Sequence, residues 1–268
     1  MHSRNEALAV LQDHRAQPFL PHGEFAFPAP IFSEFLCGLE IMTVRLSPVF
    51  YGWGVPHGDG AAVVLVPGLL GMDLNVYELH AWLRRIGYRP FYSGIDFAAD
   101  CPDLLSRQLD ATIARAHAET GRKVHLIGHS LGGIFARSAA VRRPGQVASV
   151  ITLGSPFRGL VAHRLIFSVA ENVRQWIRTA NPGVSAMCGT SQCSCAFGRS
   201  LGRRWPRSVK QTAMYTKCDG IVDWRYCRSG RPDVDVEVVG THVGLPFNAN
   251  VLKEIALRLA GEEHFGCR

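Results

Sequence analysis

The sequence predicts an α/β fold with a mostly parallel sheet of about six strands, flanked by helices. Short apolar segments alternate with helical patterns of ten or more residues, which is the arrangement of βαβ units. The length of 268 residues and the hydrophobic fraction of 47% suit one large domain with an ordinary core. These two observations exclude a fibrous repeat and a wholly disordered chain.

Six segments have the composition of strands, because each is apolar and is bounded by glycine or by a polar turn. The first, AAVVLVPG, follows the turn-like PHGDG and is typical of a strand that is buried on both faces. The predicted strands are residues 61–68, 88–94, 124–128, 146–154, 208–216 and 233–240.

Helical periodicity lies between these strands, and Gly87 and Gly121 end the first two helices. The apolar stripe of residues 73–86 is Leu74, Tyr77, Leu79, Trp82, Leu83 and Ile86. The next helix begins at Asp100 or Pro102 and runs through Ala118, and its stripe is Leu104, Leu105, Leu109, Ile113 and Ala116. The later predicted helices are residues 130–141, 160–179 and 248–259.

Two segments depart from the alternation of strands and helices in the predicted core, residues 59–268. Residues 1–58 are proline-rich and lack sustained periodicity, so we expect an N-terminal extension with one or two short helices. We expect this extension to pack on the core and to cover a sheet edge. Residues 157–207 interrupt the alternation of strands and helices, with a helical first half and a Gly/Ser/Cys-rich second half. We expect this segment to be an inserted cap.

Charge and hydropathy exclude several classes of function. The net charge is +7, but the basic residues are scattered and no nucleic-acid-binding motif is present, so we expect no nucleic-acid partner. The N-terminus has no continuous apolar run, and the apolar segments are shorter than the roughly 20 residues that span a bilayer. We therefore expect a cytoplasmic protein without stable membrane insertion. The sequence leaves its oligomeric state open.

Cysteine usage leaves three interpretations open. Without a signal peptide, the eight cysteines are interpreted first as thiols. A local disulfide, such as one that joins the C-x4-C-x-C cluster to Cys227, is an alternative. A structural zinc site is a third, although it prefers paired C-x2-C spacing. The residues concerned are Cys188, Cys193, Cys195, Cys218 and Cys227.

The most specific motif is GHSLGG, residues 128–133, between a predicted strand and a predicted helix. A serine flanked by glycines in this context matches G-x-S-x-G, in which a sharp turn tolerates only small flanking residues. The turn exposes the hydroxyl of Ser130 above the sheet edge, next to the free N–H groups of the following helix. Ser130 is therefore predicted to be a nucleophile.

A serine nucleophile needs a base and an acid, which follow it in the order acid, then histidine, in this type of fold. Asp219 follows a predicted strand in TKCDGIVDW, and His242 follows the next one in GTHVGL. Both lie where a loop leaves the carboxyl end of a strand, which is where sites assemble in open α/β sheets. Asp223 competes with Asp219, but Asp219 lies nearer the strand end. His129 is adjacent to the nucleophile and is expected to point elsewhere.

An oxyanion hole needs two backbone N–H groups aimed at the tetrahedral oxygen. The residue after the nucleophile, Leu131, is predicted to supply one of them. The loop after the first strand, PGLLG, is predicted to supply the other through Leu69, because Gly68 allows a close backbone approach.

Together these motifs resemble those of the α/β-hydrolases, close to the bacterial lipase and esterase branch. The matching stretches run in order from residue 63 to 245 and are VLVPGLLG, HLIGHSLGG, VITLGSPFRG, YTKCDGIVDW and VVGTHVGL. Many such lipases have His-Gly and GTPHxG where this chain has PG and GSPFRG. The resemblance implies an α/β-hydrolase fold, a triad and an oxyanion hole made by Ser130, Asp219, His242, Leu69 and Leu131.

The predicted function is a serine hydrolase that cleaves carboxylic esters through an acyl-enzyme. Apolar residues beside the site favour a small-molecule or lipid ester over a charged substrate, and they are Leu70, Phe157 and Leu245, with Leu69. The same triad would serve an acyltransferase or a thioesterase, and a non-catalytic scaffold with this fold is a further alternative. No nucleotide-binding motif is present, so no cofactor is expected.

Overall fold

The computed structural model describes residues 31–69, 71, 73–95, 100–159, 162–180 and 194–261. The six predicted strands lie within these ranges. The predictions for residues 1–30, Leu70, Cys188 and Cys193 lie outside the described residues.

A single sheet forms the centre of the molecule. Its strands are β1 (Ala62–Val66), β2 (Arg89–Tyr92), β3 (Val124–His129), β4 (Val147–Leu153), β5 (Lys210–Tyr215) and β6 (Asp235–Glu237). They lie in the order β2-β1-β3-β4-β5-β6, and every neighbouring pair is parallel. Their carboxyl ends therefore meet at one edge of the sheet. The predicted α/β fold with about six mostly parallel strands is confirmed.

Helices connect and cover these strands. In the described residues they are α1 (Cys37–Val44), α2 (Tyr77–Arg85), α3 (Pro102–Thr120), α4 (Leu131–Arg142), α5 (Arg164–Ala180), α6 (Ala196–Leu201) and α7 (Ala249–Ala260). The 3-10 helix Asp73–Val76 forms the first turn of the helix predicted at residues 73–86. The helix predicted from residue 160 begins at Arg164 in the structure. Within the part of the chain that is described, no helix is long and apolar enough to cross a membrane.

The two faces of the sheet bury two separate hydrophobic clusters. In β1, Val63 and Leu65 belong to one cluster, whereas Val64 and Val66 belong to the other. This split follows from the alternation of side chains along a strand. Helices α2 and α7 supply side chains to the first cluster, and α3 and α4 supply side chains to the second. Burial of both faces explains the continuous apolar run of β1.

Among the stripe residues whose side chains the structure describes, two are not buried. Tyr77 is exposed, and Leu104 is 39% exposed, although Leu105 and Leu109 of the same helix are buried. Successive helical residues are about 100° apart, so Leu104 lies off the stripe that Leu105 and Leu109 form. Tyr77 lies two residues before Leu79 and points to the opposite side of α2 for the same reason.

The described part of residues 1–58 contains three short helices, where the sequence predicts one or two. They are the 3-10 helix Ile31–Leu36, α1 and the 3-10 helix Pro48–Tyr51. Val49 packs against the first core cluster, and its carbonyl oxygen accepts a hydrogen bond from the indole of Trp82 at 2.7 Å. The preceding residues contact the loops that follow β5 and β6, through hydrogen bonds from these loops to Glu34.

Cys227 is a free and buried thiol, so the suggested disulfide to this residue is not formed. Its side chain packs with Tyr215 and Val222. Burial, followed by the charges of Asp219 and Asp223, raises the pKa of Cys227 well above its ordinary value. Cys218 also has a free thiol. Among the residues that the structure describes, no group of three His, Cys, Asp or Glu side chains could hold a metal ion.

The two leucines of α3 provide a test of the fold. We expect Leu109→Ala to lower the free energy of unfolding by about 2–5 kcal/mol, because it removes a fully buried side chain and leaves a cavity. Leu104→Ala is the matched control on the same helix and is expected to cost clearly less. Urea denaturation of both variants measures the difference. Equal losses would contradict this placement of the apolar stripe.

Candidate active site

Ser130 lies in a strained turn between β3 and α4. Its backbone has φ 53° and ψ −123°, and it is the only non-glycine residue with positive φ in the described parts of the chain. Such a conformation costs on the order of 1–3 kcal/mol, so the surrounding structure must enforce it. The N–H of Ser130 donates to the carbonyl oxygen of Leu153 at 2.8 Å, which ties the turn to the end of β4.

Close backbone contacts around this turn explain its two flanking glycines. A Cβ on Gly132 would collide with the carbonyl oxygens of Val66 and Pro67. A Cβ on Gly128 would lie 2.5 Å from the carbonyl carbon of Gly132. Strand β1, the serine turn and the first turn of α4 are therefore packed too tightly for side chains at these positions. This crowding is the structural reason for the G-x-S-x-G pattern.

The loop after β1 lies directly beside the serine turn. Val66 pairs with Gly128 in the sheet, and a Cβ on Gly68 would lie 3.1 Å from the Cβ of Ser130. The Gly71 N–H donates to the carbonyl oxygen of Gly68 at 2.9 Å, so the loop makes a tight turn around Leu69. Leu131 begins α4. Leu69 therefore follows a glycine that lies against Ser130, and Leu131 is the residue directly after Ser130.

Asp219 and His242 are hydrogen-bonded to each other at the ends of two neighbouring strands. Nδ1 of His242 lies 2.6 Å from Oδ2 of Asp219, and the side chains are only 3% and 1% exposed. The other carboxylate oxygen, Oδ1, accepts from the backbone N–H groups of Ile221 and Val222 at 2.9 and 2.8 Å. The Asp219 carboxylate is therefore fixed on both sides. Since a carboxylate accepts, Nδ1 carries a proton and Nε2 is left as the basic nitrogen of a neutral His242.

Asp223, the competing acid, has a different role. It begins the 3-10 helix Trp224–Cys227, and its carboxylate accepts from the Arg225 N–H at 3.0 Å. It also forms an ion pair with the guanidinium of Arg225 at 3.3 Å. The structure therefore brings Asp219 to His242 and uses Asp223 as a helix cap.

Opposing effects act on the ionisation of His242. Burial lowers its pKa, but the charge of Asp219, the hydrogen bond to Asp219 and the charge of Glu34 together outweigh burial. The pKa of His242 is consequently raised above its ordinary value. A raised pKa strengthens the ring as a proton acceptor once it is neutral.

His129 packs against His242 from the side of the serine turn. The two ring centroids are 5.0 Å apart, and Nε2 of His129 donates to the carbonyl oxygen of His242 at 2.9 Å. Burial, followed by the charge of His242, lowers the pKa of His129 to about 3, so this ring is neutral. The sequence predicts that His129 points away from the nucleophile, but it contains no signal for this contact with the loop of His242.

Two of the predicted substrate-binding residues, Leu245 and Phe157, differ from each other in burial and in contacts. Leu245 is fully buried in the first core cluster, near Gly154. Phe157 is half-buried, and the guanidinium of Arg137 lies 3.8 Å from the centre of its ring. Because Arg137 belongs to α4, Phe157 is attached to the helix that begins after Ser130. The third residue, Leu70, is not among the described residues.

Two acidic side chains that the sequence analysis did not select also reach the site. Glu34 accepts hydrogen bonds from the backbone N–H groups of Gly220 and His242, and Glu40 accepts from that of Thr241. Glu34 is separated from Gly220 by 186 positions and from His242 by 208. No local pattern in a single sequence reports a contact over such a separation.

Comparison with known proteins finds sequence similarity to lipases. Residues 101–199 match the family described as PGAP1-like alpha/beta domain. A triacylglycerol lipase of Burkholderia plantarii is 35% identical over 160 residues, which cover 56% of this chain and 43% of the lipase. A triacylglycerol lipase of Pseudarthrobacter phenanthrenivorans is 39% identical over 133 residues, which cover 46% of this chain and 40% of that protein. The chain thus spans less than half the length of these curated relatives.

Solved structures show the same fold. The crystal structure of mature lipase BlEst2 from Bacillus licheniformis superposes with a TM-score of 0.51 at 20% identity, over 77% of this chain and 94% of the lipase. With the parallel sheet and the serine turn, this likeness identifies the α/β-hydrolase fold. The predicted resemblance to lipases and esterases is confirmed.

The two aspartates provide a test of the site with a matched control. In Asp219→Asn the carboxylate that orients His242 is lost, and we expect the rate at which a fluorophosphonate modifies Ser130 to fall by about 10⁴-fold. Asp223→Asn retains an acceptor for the Arg225 N–H and is expected to react at close to the wild-type rate. Stopped-flow or gel-based labelling measures both rates. A greater loss in Asp223→Asn would contradict the assignment.

Proposed function

We propose that this protein is a serine carboxylester hydrolase of the lipase or esterase type. Ser130 is the nucleophile, His242 the general base and Asp219 the residue that orients the base. The backbone N–H groups of Leu69 and Leu131 form the oxyanion hole. An ester of a small molecule or a lipid is the substrate.

The observation that carries this proposal is the buried Asp219–His242 hydrogen bond at the sheet edge that also presents Ser130. An aspartate that holds Nδ1 of a histidine leaves Nε2 available to accept a proton. A strained serine turn before a helix is the usual position of the nucleophile in this fold. The similarity to two triacylglycerol lipases supports an ester as the substrate.

The proposed reaction has two halves. His242 takes the proton of the Ser130 hydroxyl while the oxygen attacks the ester carbonyl, and Asp219 stabilises the imidazolium that forms. The tetrahedral oxygen is bound by the N–H groups of Leu69 and Leu131, each worth roughly 2.7–4 kcal/mol. Collapse of this intermediate releases the alcohol, which receives the proton from His242. Water, deprotonated by His242, then hydrolyses the acyl-enzyme and regenerates Ser130.

We further propose that residues 157–207 cap the site and that residues 1–58 are an extension that packs on the hydrolase core. Leu70, Phe157 and Leu245 are proposed to contribute to the acyl-binding region. The anchoring of Phe157 beneath Arg137 supports a fixed wall at the start of the cap. A cytoplasmic location stays a prediction.

Substitution of the nucleophile tests the proposed chemistry. We expect the wild-type protein to hydrolyse p-nitrophenyl esters, and Ser130→Ala to lose this activity by a factor on the order of 10⁶, since the serine carries the covalent step. Assays from acetyl to palmitoyl esters measure the loss and the preferred chain length. A preference for long chains would indicate a lipase, and a preference for short chains an esterase.

Other outcomes would contradict the proposal. If folded wild-type protein hydrolysed none of these esters, or if Ser130→Ala stayed active, the carboxylester hydrolase assignment would be wrong. Transfer of the acyl group to an added alcohol or thiol in preference to water would indicate an acyltransferase. Lack of labelling by a fluorophosphonate would indicate a non-catalytic scaffold.

The raised pKa of His242 predicts the pH dependence of the reaction. His242 must be neutral to act as a base, so kcat/KM rises as the pH increases through the pKa of the free enzyme. Because that pKa is raised above the ordinary 6.5, we expect the midpoint of the acidic limb above pH 6.5. Initial rates over pH 5–9 measure it. A midpoint below 6.5 would contradict the balance of charges described for His242.

A further inference from the structure

We propose that Glu34 and Glu40 are positioning residues that hold the loops of Asp219 and His242 at a fixed separation. They belong to residues 31–44, which we call the N-terminal clamp. This inference rests on the proposed function, because it concerns the geometry of the proposed catalytic pair. Neither glutamate contacts the substrate in this scheme. Each acts on the backbone that carries His242.

Glu34 joins the two loops directly. Its Oε1 accepts from the Gly220 N–H at 2.8 Å and from the His242 N–H at 3.1 Å. Its Oε2 accepts from the Val243 N–H at 2.8 Å. Gly220 follows Asp219, so one carboxylate holds the backbone next to both members of the pair. The loops leave different strands, β5 and β6, and Glu34 fixes the distance between them.

Glu40 holds the residue before His242. Its carboxylate accepts from the Thr241 N–H at 3.2 Å and from the Thr241 hydroxyl at 2.5 Å. The two glycines around this loop leave space for it. A Cβ on Gly240 would lie 2.6 Å from Oε1 of Glu40, and a Cβ on Gly244 would collide with Oε2. The G-T-H-V-G sequence is therefore shaped to receive the Glu40 carboxylate.

Apolar burial accounts for only one end of the clamp, where Val44 belongs to the first core cluster. Phe32 and Phe35 are 80% and 82% exposed, and Leu39 and Met42 are also exposed, whereas Glu34 is only 9% exposed. Burial of a carboxylate is costly unless hydrogen bonds satisfy it, and three backbone donors do so here. The two glutamates thus form the contact of the clamp with the loops of Asp219 and His242, while Phe32, Phe35, Leu39 and Met42 are exposed.

The charge of Glu34 also reaches the base. The titratable side chains that surround His242 are Asp219 from the loop after β5, Glu34 from the clamp and His129 from the end of β3. Burial lowers the pKa of His242, and the charges of Asp219 and Glu34 raise it. Glu40 instead accepts hydrogen bonds from Thr241, the residue before His242. The two glutamates therefore differ in a way that an experiment can separate.

Two nearly isosteric variants test the proposal. In Glu34→Gln one oxygen becomes an NH₂ group that faces backbone N–H donors, so the loops must move apart. We expect kcat to fall by about 10- to 100-fold with little change in KM, since a displacement of about 1 Å at a reacting group costs on the order of 100-fold. We also expect the acidic limb of kcat/KM to move to lower pH, because a negative charge beside His242 is removed. Glu40→Gln is expected to lower kcat without moving this limb.

Glu119→Gln is the control for loss of a carboxylate. Glu119 lies near the end of α3 and forms a surface ion pair with Arg89. We expect its kcat, KM and pH profile to match the wild type. Far-UV circular dichroism and thermal unfolding identify any variant that fails to fold. If Glu34→Gln fails to fold, Glu34→Asp replaces it, because aspartate keeps the charge but has a shorter side chain. We expect Glu34→Asp to have a lower kcat and an unchanged midpoint of the acidic limb of kcat/KM.

A measurement without turnover separates this inference from the proposed function. In Ser130→Ala, histidine NMR titration reports the pKa of His242 directly, and Glu34→Gln is expected to lower it. If this shift is found but no ester is hydrolysed by the wild type, the proposed function fails and the clamp remains supported. If Glu34→Gln keeps the wild-type kcat, or loses activity with no change in the pKa of His242, the positioning role is wrong.

Discussion

The close packing of β1 against the serine turn is the constraint on which the rest of the site depends. The carbonyl oxygens of Val66 and Pro67 occupy the space that a side chain at residue 132 would need, so α4 can begin directly against the sheet. This contact enforces the positive φ of Ser130, which an isolated turn would not adopt. It also brings the loop of Leu69 beside Ser130. The same close packing therefore accompanies both the strained backbone of Ser130 and the approach of the loop after β1.

Backbone N–H groups make the charged part of the site possible. Asp219 is almost fully buried, and two N–H groups together with His242 satisfy its carboxylate. Glu34 is satisfied in the same way by three N–H groups from two loops. These hydrogen bonds hold both carboxylates close to His242. Their charges, with the hydrogen bond to Asp219, outweigh the effect of burial on the pKa of His242. His129 stays neutral on the other side and adds only a hydrogen bond.

The candidate site is assembled from distant parts of the chain. The carboxyl ends of β1, β3, β5 and β6 supply the loops, because all strands of the sheet run in the same direction. The N-terminal clamp crosses two of these loops and contacts their backbone through carboxylates. The sheet sets where the loops begin, but contacts between the loops set the distance between the acid and the base.

Local patterns in the sequence determined the six strands, the serine turn and the candidates Ser130, Asp219 and His242, because each depends on neighbouring residues or on chain order. The exact helix faces did not follow, since Tyr77 lies two residues before the buried Leu79 and Leu104 one residue before the buried Leu105. Only the tertiary structure decided that Asp219 faces His242 while Asp223 caps a helix, and that Cys227 is a free thiol. It alone revealed Glu34, Glu40 and the partner of His129. Their contacts join residues separated by more than a hundred positions, and at that separation only the packed fold determines which groups meet.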